Sequence, residues 1–266
     1  SMVLGMERCW YHDKARYDAP YSEALGQGHR ETLLHQKAQS KGRKVVARYV
    51  LHAMQSWRVY HFHDTSASAK IKATGDLNDN AALRDDASNL ASFLYLLREA
   101  HPDSYRQVVD ATRLVAPFFD DFTLRPNPLQ PDKIRLEWRE KSSDAYFNAH
   151  ALSDGTLRFI CLATLLQMPD PPATILIDEP ELELHPYAIA VLAALLRAAA
   201  QRTQVIVSTQ SVTLVNQMAL DDVIVVDRQG SESVFRRPAA QALQAWLEDY
   251  GVGDLWEKNL LGGRSS

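Results

Sequence analysis

The fold is decided by the stretch Thr174-Ile175-Leu176-Ile177-Asp178-Glu179-Pro180. An apolar run rich in branched side chains, ended by two adjacent carboxylates, predicts a buried strand with both acids at the carboxyl edge of its sheet. Ligands bind at that edge in open α/β folds. Asp178 is therefore a candidate ligand for Mg²⁺ through its water shell, and Glu179 is a candidate proton acceptor for an attacking water.

Helices and apolar strands alternate around this stretch. The pattern predicts helices at 156–168, 186–200 and 212–218 and further strands at 203–208 and 223–226. Helices that alternate with strands lacking polar alternation are typical of a parallel sheet covered on both faces. We therefore predict an α/β fold for residues 151–266, a helical lobe with short antiparallel strands at 46–150, and a mostly irregular lead at 1–45.

The helical lobe is read from its apolar spacing. We predict helices over 45–63, over 89–101 and, capped by Ser104, up to residue 116, and a surface loop over 65–86. Two strands are expected at 122–125 and 134–138, the second because Ile, Leu and Trp alternate with polar residues.

A second motif, Leu-Ser-Asp-Gly-Thr at 152–156, opens an amphipathic helix. Backbone N–H groups and the helix dipole make such an N-terminus an anion site, and a glycine allows close approach. Taken alone, Ser153 is equally well explained as an ordinary N-cap.

The order and spacing of three motifs resemble a known family. LSxGxxR lies at 152–158, ILIDEPExxLHP at 175–186 and QVIVxTxS at 204–211. Together they resemble the ATPase heads of ABC proteins and, more narrowly, bacterial predicted AAA ATPases related to RecF and SMC proteins. The resemblance implies part of a RecA-like P-loop NTPase fold, a three-layer sandwich with a helical lobe and a small antiparallel sheet.

The resemblance also implies roles for individual residues. Ser153 and Gly155 would contact the γ-phosphate of ATP held by a partner head. Asp178 would be the Walker B aspartate that holds Mg²⁺, and Glu179 would be the general base. Residues 183–185 would form the D-loop at the dimer interface. ATP and Mg²⁺ are the implied cofactors, and a homodimer of heads is the implied assembly. DNA or an associated nuclease are the further partners that the resemblance suggests.

The chain departs from the family pattern in two places. Gln210 stands where ABC proteins usually have the switch histidine, and glutamine cannot take up a proton at neutral pH. No G-x-x-x-x-G-K-[ST] sequence occurs in the 266 residues. Because the family carries this Walker A loop in an N-terminal lobe, we expect the chain to be a truncated head that is inactive on its own.

Two other functions fit parts of the pattern. A non-hydrolysing module could dimerise or complement a separate Walker A polypeptide. A nuclease could instead bind metal through the alternating carboxylates of Asp178, Glu179, Glu181 and Glu183. A further possible metal site, His61-Phe62-His63-Asp64, is incomplete, and we interpret it as the polar end of a helix.

Bulk composition excludes some classes. The formal net charge of −4 and the pI of about 6.1 give no overall field that would attract nucleic acid. The two cysteines lie far apart and form no CxxC motif, and no apolar run is long enough to cross a membrane. We therefore expect a cytoplasmic protein.

Overall fold

The computed structural model describes residues 3–12, 15–40, 46–141, 143, 145–230, 232–239, 243, 246 and 249–262. The chain forms two compact units. The first comprises Ser1–Arg58 with Pro172–Thr174, and the second comprises Val59–Pro171 with Ile175–Ser266. None of the described helices is long and apolar enough to cross a bilayer.

The first unit is a hairpin with two helices. Strands β1 (Glu7–Tyr11) and β2 (Tyr21–Gly26) pair antiparallel, and helices α1 (Leu34–Ala38) and α2 (Val46–Gln55) follow. Its small core consists of Cys9, Leu25, Leu34, Ala38, Val46 and Ala47. The hairpin lies in the segment expected to be mostly irregular. Most residues of its strands are exposed or half-buried, and the strands lack the apolar alternation that identifies a strand in sequence.

The sheet that carries the decisive motif has three strands. They are β3 (Trp57–Tyr60), β9 (Thr174–Asp178) and β10 (Gln204–Ser208), in the order β10-β9-β3. The predicted strand at 174–178 is confirmed, with Ile175 and Ile177 buried. The prediction of a fully buried strand at 203–208 is wrong, because Ile206 is exposed. Among the described residues the sheet ends at β10, which leaves this strand less covered than β9.

Four helices build the main core of the second unit. They are α3 (Leu90–Ala100), α4 (Pro102–Val115), α5 (Asp154–Gln167) and α6 (Pro186–Ala199). Helix α5 packs against both α4 and α6, and an unbroken run of its residues, 157–166, is buried. Burial raises the pKa of the Cys161 thiol, which donates to the Leu157 carbonyl at 3.2 Å and stays protonated.

Two helix boundaries differ from the predicted ones. The expected helix over 45–63 ends at Gln55, and β3 begins at Trp57. Here a helical spacing of apolar residues continued into β-prone residues, and pairing in the sheet outweighed it. Helix α4 begins at Pro102 rather than after Ser104, because proline at the first helical position loses no hydrogen bond.

The predicted small antiparallel sheet is present in two pieces. Strands β5 (Phe119–Phe122), β7 (Glu137–Glu140) and β8 (Tyr146–Asn148) form one, and β4 (Gly75–Asp76) pairs with β6 (Lys133–Ile134) in the other. The expected strand at 134–138 is thus divided between β6 and β7, which lie in different sheets. A strand was also expected at 122–125, but β5 ends at Phe122. The expected surface loop over 65–86 also contributes buried side chains, Ala69, Ile71 and Leu83.

The end of the chain has its own small core. After α7 (Val212–Val215) come β11 (Val225–Gln229), β12 (Glu232–Arg236) and α8 (Val252–Glu257). The core residues here are Leu220, Val225, Val252, Leu255 and Leu261. The strand expected at 223–226 was predicted to extend the parallel sheet. Instead, β11 pairs antiparallel with β12, whose largely exposed side chains gave no strand pattern.

Candidate functional site

The turn after β9 holds its two carboxylates in a constrained backbone. Asp178 is exposed and Glu179 is half-buried. Glu179 has φ of 41°, in the left-handed region that non-glycine residues rarely adopt. Its N–H donates to the Ser208 carbonyl at 2.9 Å, which fixes the turn to the end of β10. Such strained positions persist where the surrounding structure holds them, commonly at functional sites.

The residues that end β10 bond directly to these carboxylates. The Ser208 hydroxyl donates to Asp178 Oδ1. Gln210 Nε2 donates to Glu179 Oε1 at 3.3 Å. The structure therefore brings the predicted Mg²⁺ ligand, general base and switch residue together at one sheet edge.

The two remaining acids of the motif, Glu181 and Glu183, contact other residues. Glu181 is buried and accepts a hydrogen bond from the Thr209 hydroxyl, while its Oε2 has no hydrogen-bond partner among the described residues. The Glu183 carboxylate lies 3.7 Å from the Arg158 guanidinium. Among the described residues, no three of the four acids bring their carboxylate oxygens within 4.8 Å of one another, so the nuclease alternative lacks its ligand cluster.

The start of α5 shows what Ser153 and Gly155 do within the chain. Ser153 is exposed, and its hydroxyl caps the helix by accepting from the Thr156 N–H at 3.1 Å. A Cβ at Gly155 would lie 2.3 Å from the Glu183 carbonyl oxygen. Close contact with this carbonyl is thus sufficient to require glycine at 155, whether or not a phosphate also approaches it.

Arg158 is a buried cation that links two segments of the chain. It is only 3% exposed, and its guanidinium donates to the carbonyls of Phe62 at 2.9 Å, Leu182 at 2.8 Å and His63 at 3.2 Å. It therefore positions the segment after β3 and the turn after β9. The sequence contained it as the last residue of the LSxGxxR motif without indicating this role. An arginine inside an otherwise apolar helix was the available signal.

The histidines after β3 adopt an arrangement that the sequence did not predict. His61 and His63 follow a strand rather than ending a helix, and their ligand atoms lie within 4.8 Å of one another and of an Asp178 oxygen. Asp64 is not in this group, and its carboxylate accepts from the N–H and hydroxyl of Ser66 at 3.2 and 2.7 Å. Their aromatic neighbours Trp57, Tyr60 and Phe62 fit the pattern of core residues in the sequence. Tyr60 and Phe62 are buried, whereas Trp57 is exposed, so the expectation is wrong for Trp57.

A small cavity connects these features. Its lining brings together the histidine segment, α5 and the turn after β9, and consists of Phe62, His63, Arg158, Leu162, Ile177, Asp178, Glu179 and Pro180.

Comparison with protein families gives one match that covers most of the chain. The model of a family described as "AAA domain, putative AbiEii toxin, Type IV TA system" matches residues 21–216. No curated protein sequence matches the chain.

Solved structures similar to this chain include heads of SMC proteins. An Smc head bound to the C-winged helix domain of ScpA is 16% identical and has a TM-score of 0.50, with 70% of this chain and 57% of that chain covered. The SMC head domain from Thermotoga maritima is 13% identical with a TM-score of 0.45, covering 88% and 75% of the two chains. A chain from work on ATP-driven dimerisation and DNA-stimulated activation of SMC ATPases is 18% identical with a TM-score of 0.44, covering 59% and 96%. The expected α/β fold, like that of an SMC ATPase head, is confirmed.

Proposed function

Because the chain belongs to the family of AAA domains described as putative AbiEii toxins of type IV toxin–antitoxin systems, we propose that it hydrolyses ATP as one head of a dimer. The single observation that carries this proposal is the contact of Gln210 with Glu179 beside Asp178. It gives a candidate base, a group that orients it and a candidate metal ligand at the sheet edge where ligands bind.

In the proposed reaction, Glu179 accepts the proton of the water that attacks the γ-phosphate. The hydrogen bond from Gln210 holds the carboxylate in one orientation, and the left-handed turn at Glu179 fixes its backbone. Phosphoryl transfer depends mainly on positioning and charge stabilisation, so a fixed base and a metal beside it supply what the step needs.

Asp178 is the residue of this edge that suits Mg²⁺. Asp178 is exposed, and its carboxylate accepts a hydrogen bond from the Ser208 hydroxyl. Mg²⁺ prefers oxygen ligands and retains several waters. Mg²⁺ would neutralise charge that develops on the phosphates. Without it, Asp178 and Glu179 would repel ATP.

Ser153 supplies the second half of the proposed site. Its exposed hydroxyl lies at the N-terminus of a 14-residue helix, where backbone N–H groups and the dipole favour an anion. In the dimer that we propose, Ser153 contacts the γ-phosphate of ATP held by the other head, and Gly155 allows the backbone to approach it.

The phosphate-binding loop of the site comes, in this proposal, from outside the 266 residues. The sequence contains no Walker A motif. Strand β10 lies at the end of the described sheet with Ile206 46% exposed, so a further strand could add beside it and bring such a loop to Asp178.

Replacement of Glu179 by glutamine tests the proposal. We expect Glu179→Gln, assayed with a polypeptide that provides the Walker A loop, to keep ATP affinity and lose about 10²–10⁴-fold in turnover. Glu232→Gln, on the exposed strand β12, is the control and should turn over ATP like the parent. Parent-like turnover in Glu179→Gln would remove Glu179 from the role of base.

The second candidate function is a non-hydrolysing module that dimerises or complements a separate Walker A polypeptide. The missing motif favours it. In that case the parent assembly would bind ATP without turnover, and Glu179→Gln would change nothing. Coupling of either activity to DNA maintenance or phage defence is proposed by analogy with the family, which is described as a putative toxin.

A further inference from the structure

We propose that His61, His63 and Asp178 bind a divalent transition-metal ion, with zinc as the reference ion. Among the described residues, these three form the group whose possible ligand atoms all lie within 4.8 Å of one another. Two imidazoles and one carboxylate are a ligand set that zinc and its first-row neighbours use and that differs from the all-oxygen set of magnesium.

The fold places these ligands together for a simple reason. His61 and His63 are alternate residues directly after β3, so their side chains extend to the same side, with ring centroids 6.1 Å apart. Asp178 is the last residue of β9, the neighbour of β3 in the sheet. The two histidines after β3 therefore lie beside the carboxylate at the end of β9, the neighbouring strand in the sheet.

The backbone that carries the ligands is held from several sides. The His61 N–H donates to the Asp85 carbonyl at 2.9 Å, and the His63 carbonyl accepts from Arg158 at 3.2 Å. The Ser208 hydroxyl donates to Asp178. Contacts of this kind orient metal ligands in proteins and raise affinity by limiting the conformations that the ligands must give up.

The spacing suits a site that closes on its ion. With bonds of about 2.0–2.1 Å, the ligand atoms of a tetrahedral zinc site lie roughly 3.3 Å apart. The three side chains are exposed, so rotation about their side-chain bonds can shorten separations of up to 4.8 Å to this value. Three protein ligands leave a fourth position for water or a phosphate oxygen, as in catalytic zinc sites.

Metal binding itself depends only on His61, His63 and Asp178. An effect of the metal on ATP turnover rests on the proposed function, in which Asp178 also binds Mg²⁺. An ion held by both histidines would occupy that carboxylate and make ATP turnover sensitive to transition metals.

Calorimetric titration of the whole chain with Zn²⁺ alone tests the binding claim. We expect one zinc per chain, and at least a tenfold loss of affinity in His61→Gln and in His63→Gln. His52→Gln, an exposed histidine of α2, is the control and should bind zinc like the parent. Parent-like affinity in both site variants would overturn the proposal.

Two further readouts separate this site from non-specific binding and from the proposed function. Co²⁺ should give a visible absorption spectrum typical of nitrogen ligation that is lost in His63→Gln, and millimolar Mg²⁺ should not displace Zn²⁺. Displacement by Mg²⁺, or a spectrum unchanged in the variant, would contradict ligation by the histidines. Neither readout uses ATP, so a failure of the ATPase proposal leaves them unaffected.

Discussion

Gln210 Nε2 donates to Glu179 Oε1 across 3.3 Å, joining the end of β10 to the end of β9. In the proposed reaction this contact orients the base, with glutamine at the position where the resemblance to ABC-type heads implies histidine. Because an amide cannot take up a proton at neutral pH, Gln210 can orient Glu179 or donate to a phosphate but cannot replace it as a base.

We predict that Gln210→Leu lowers ATP turnover about ten- to a hundredfold, since a hydrogen bond to a charged group contributes about 1.5–3 kcal/mol. ATP affinity should stay the same, because the residue acts through Glu179. Steady-state turnover with a Walker A polypeptide present is the measurement, and Gln217→Leu on the exposed surface is the control. Unchanged turnover in Gln210→Leu would show that the contact with Glu179 has no part in the reaction.

Ser153→Asp separates the capping role of Ser153 from its proposed phosphate contact. Aspartate caps a helix as well as serine does, so thermal stability should be preserved. The added negative charge should repel the γ-phosphate and abolish ATP-dependent dimerisation, measured by sedimentation with Mg²⁺, ATP and the Walker A polypeptide. A dimer that forms as readily as in the parent would contradict the contact in trans.

Arg158→Met should destabilise the fold by about 2–4 kcal/mol, because it removes charge-assisted hydrogen bonds to the carbonyls of Phe62, His63 and Leu182. Arg106→Met, whose side chain is 70% exposed, should change the free energy of unfolding by no more than about 0.5 kcal/mol. Chemical denaturation measures both. Equal stability of the two variants would mean that Arg158 does not hold these loops.

The parts of the fold that sequence predicted well are those whose pattern is set by burial. Strand β9 matches its predicted range, and α6 begins at the predicted Pro186, because a buried apolar run and a helix-starting proline are local signals. Strand β3 was missed, since apolar residues at helical spacing continue from α2 into it. Strand β11 was assigned to the wrong sheet, because its partner β12 is too exposed to show a pattern.

The candidate site was predictable to the extent that one motif defines it. Asp178 and Glu179 were expected at a sheet edge, and Gln210 contacts Glu179 there. The histidine group was not predicted, because it depends on β3 lying beside β9. Sequence proximity suggested Asp64 as the third ligand, whereas the sheet supplies Asp178.

The central claim is that Asp178, Glu179 and Gln210 act on ATP that a Walker A loop from outside the 266 residues holds. A Walker A loop gives the phosphates several N–H groups and a lysine, each bond contributing about 1.5–3 kcal/mol, whereas micromolar binding is about 8 kcal/mol in total. Loss of three such bonds leaves affinity in the millimolar range or weaker.

Isothermal titration of the chain with Mg-ATP, alone and with the Walker A polypeptide, is the most direct test. The account predicts no saturable heat for the chain alone and tight binding by the assembly. A low-micromolar dissociation constant for the chain alone would contradict it.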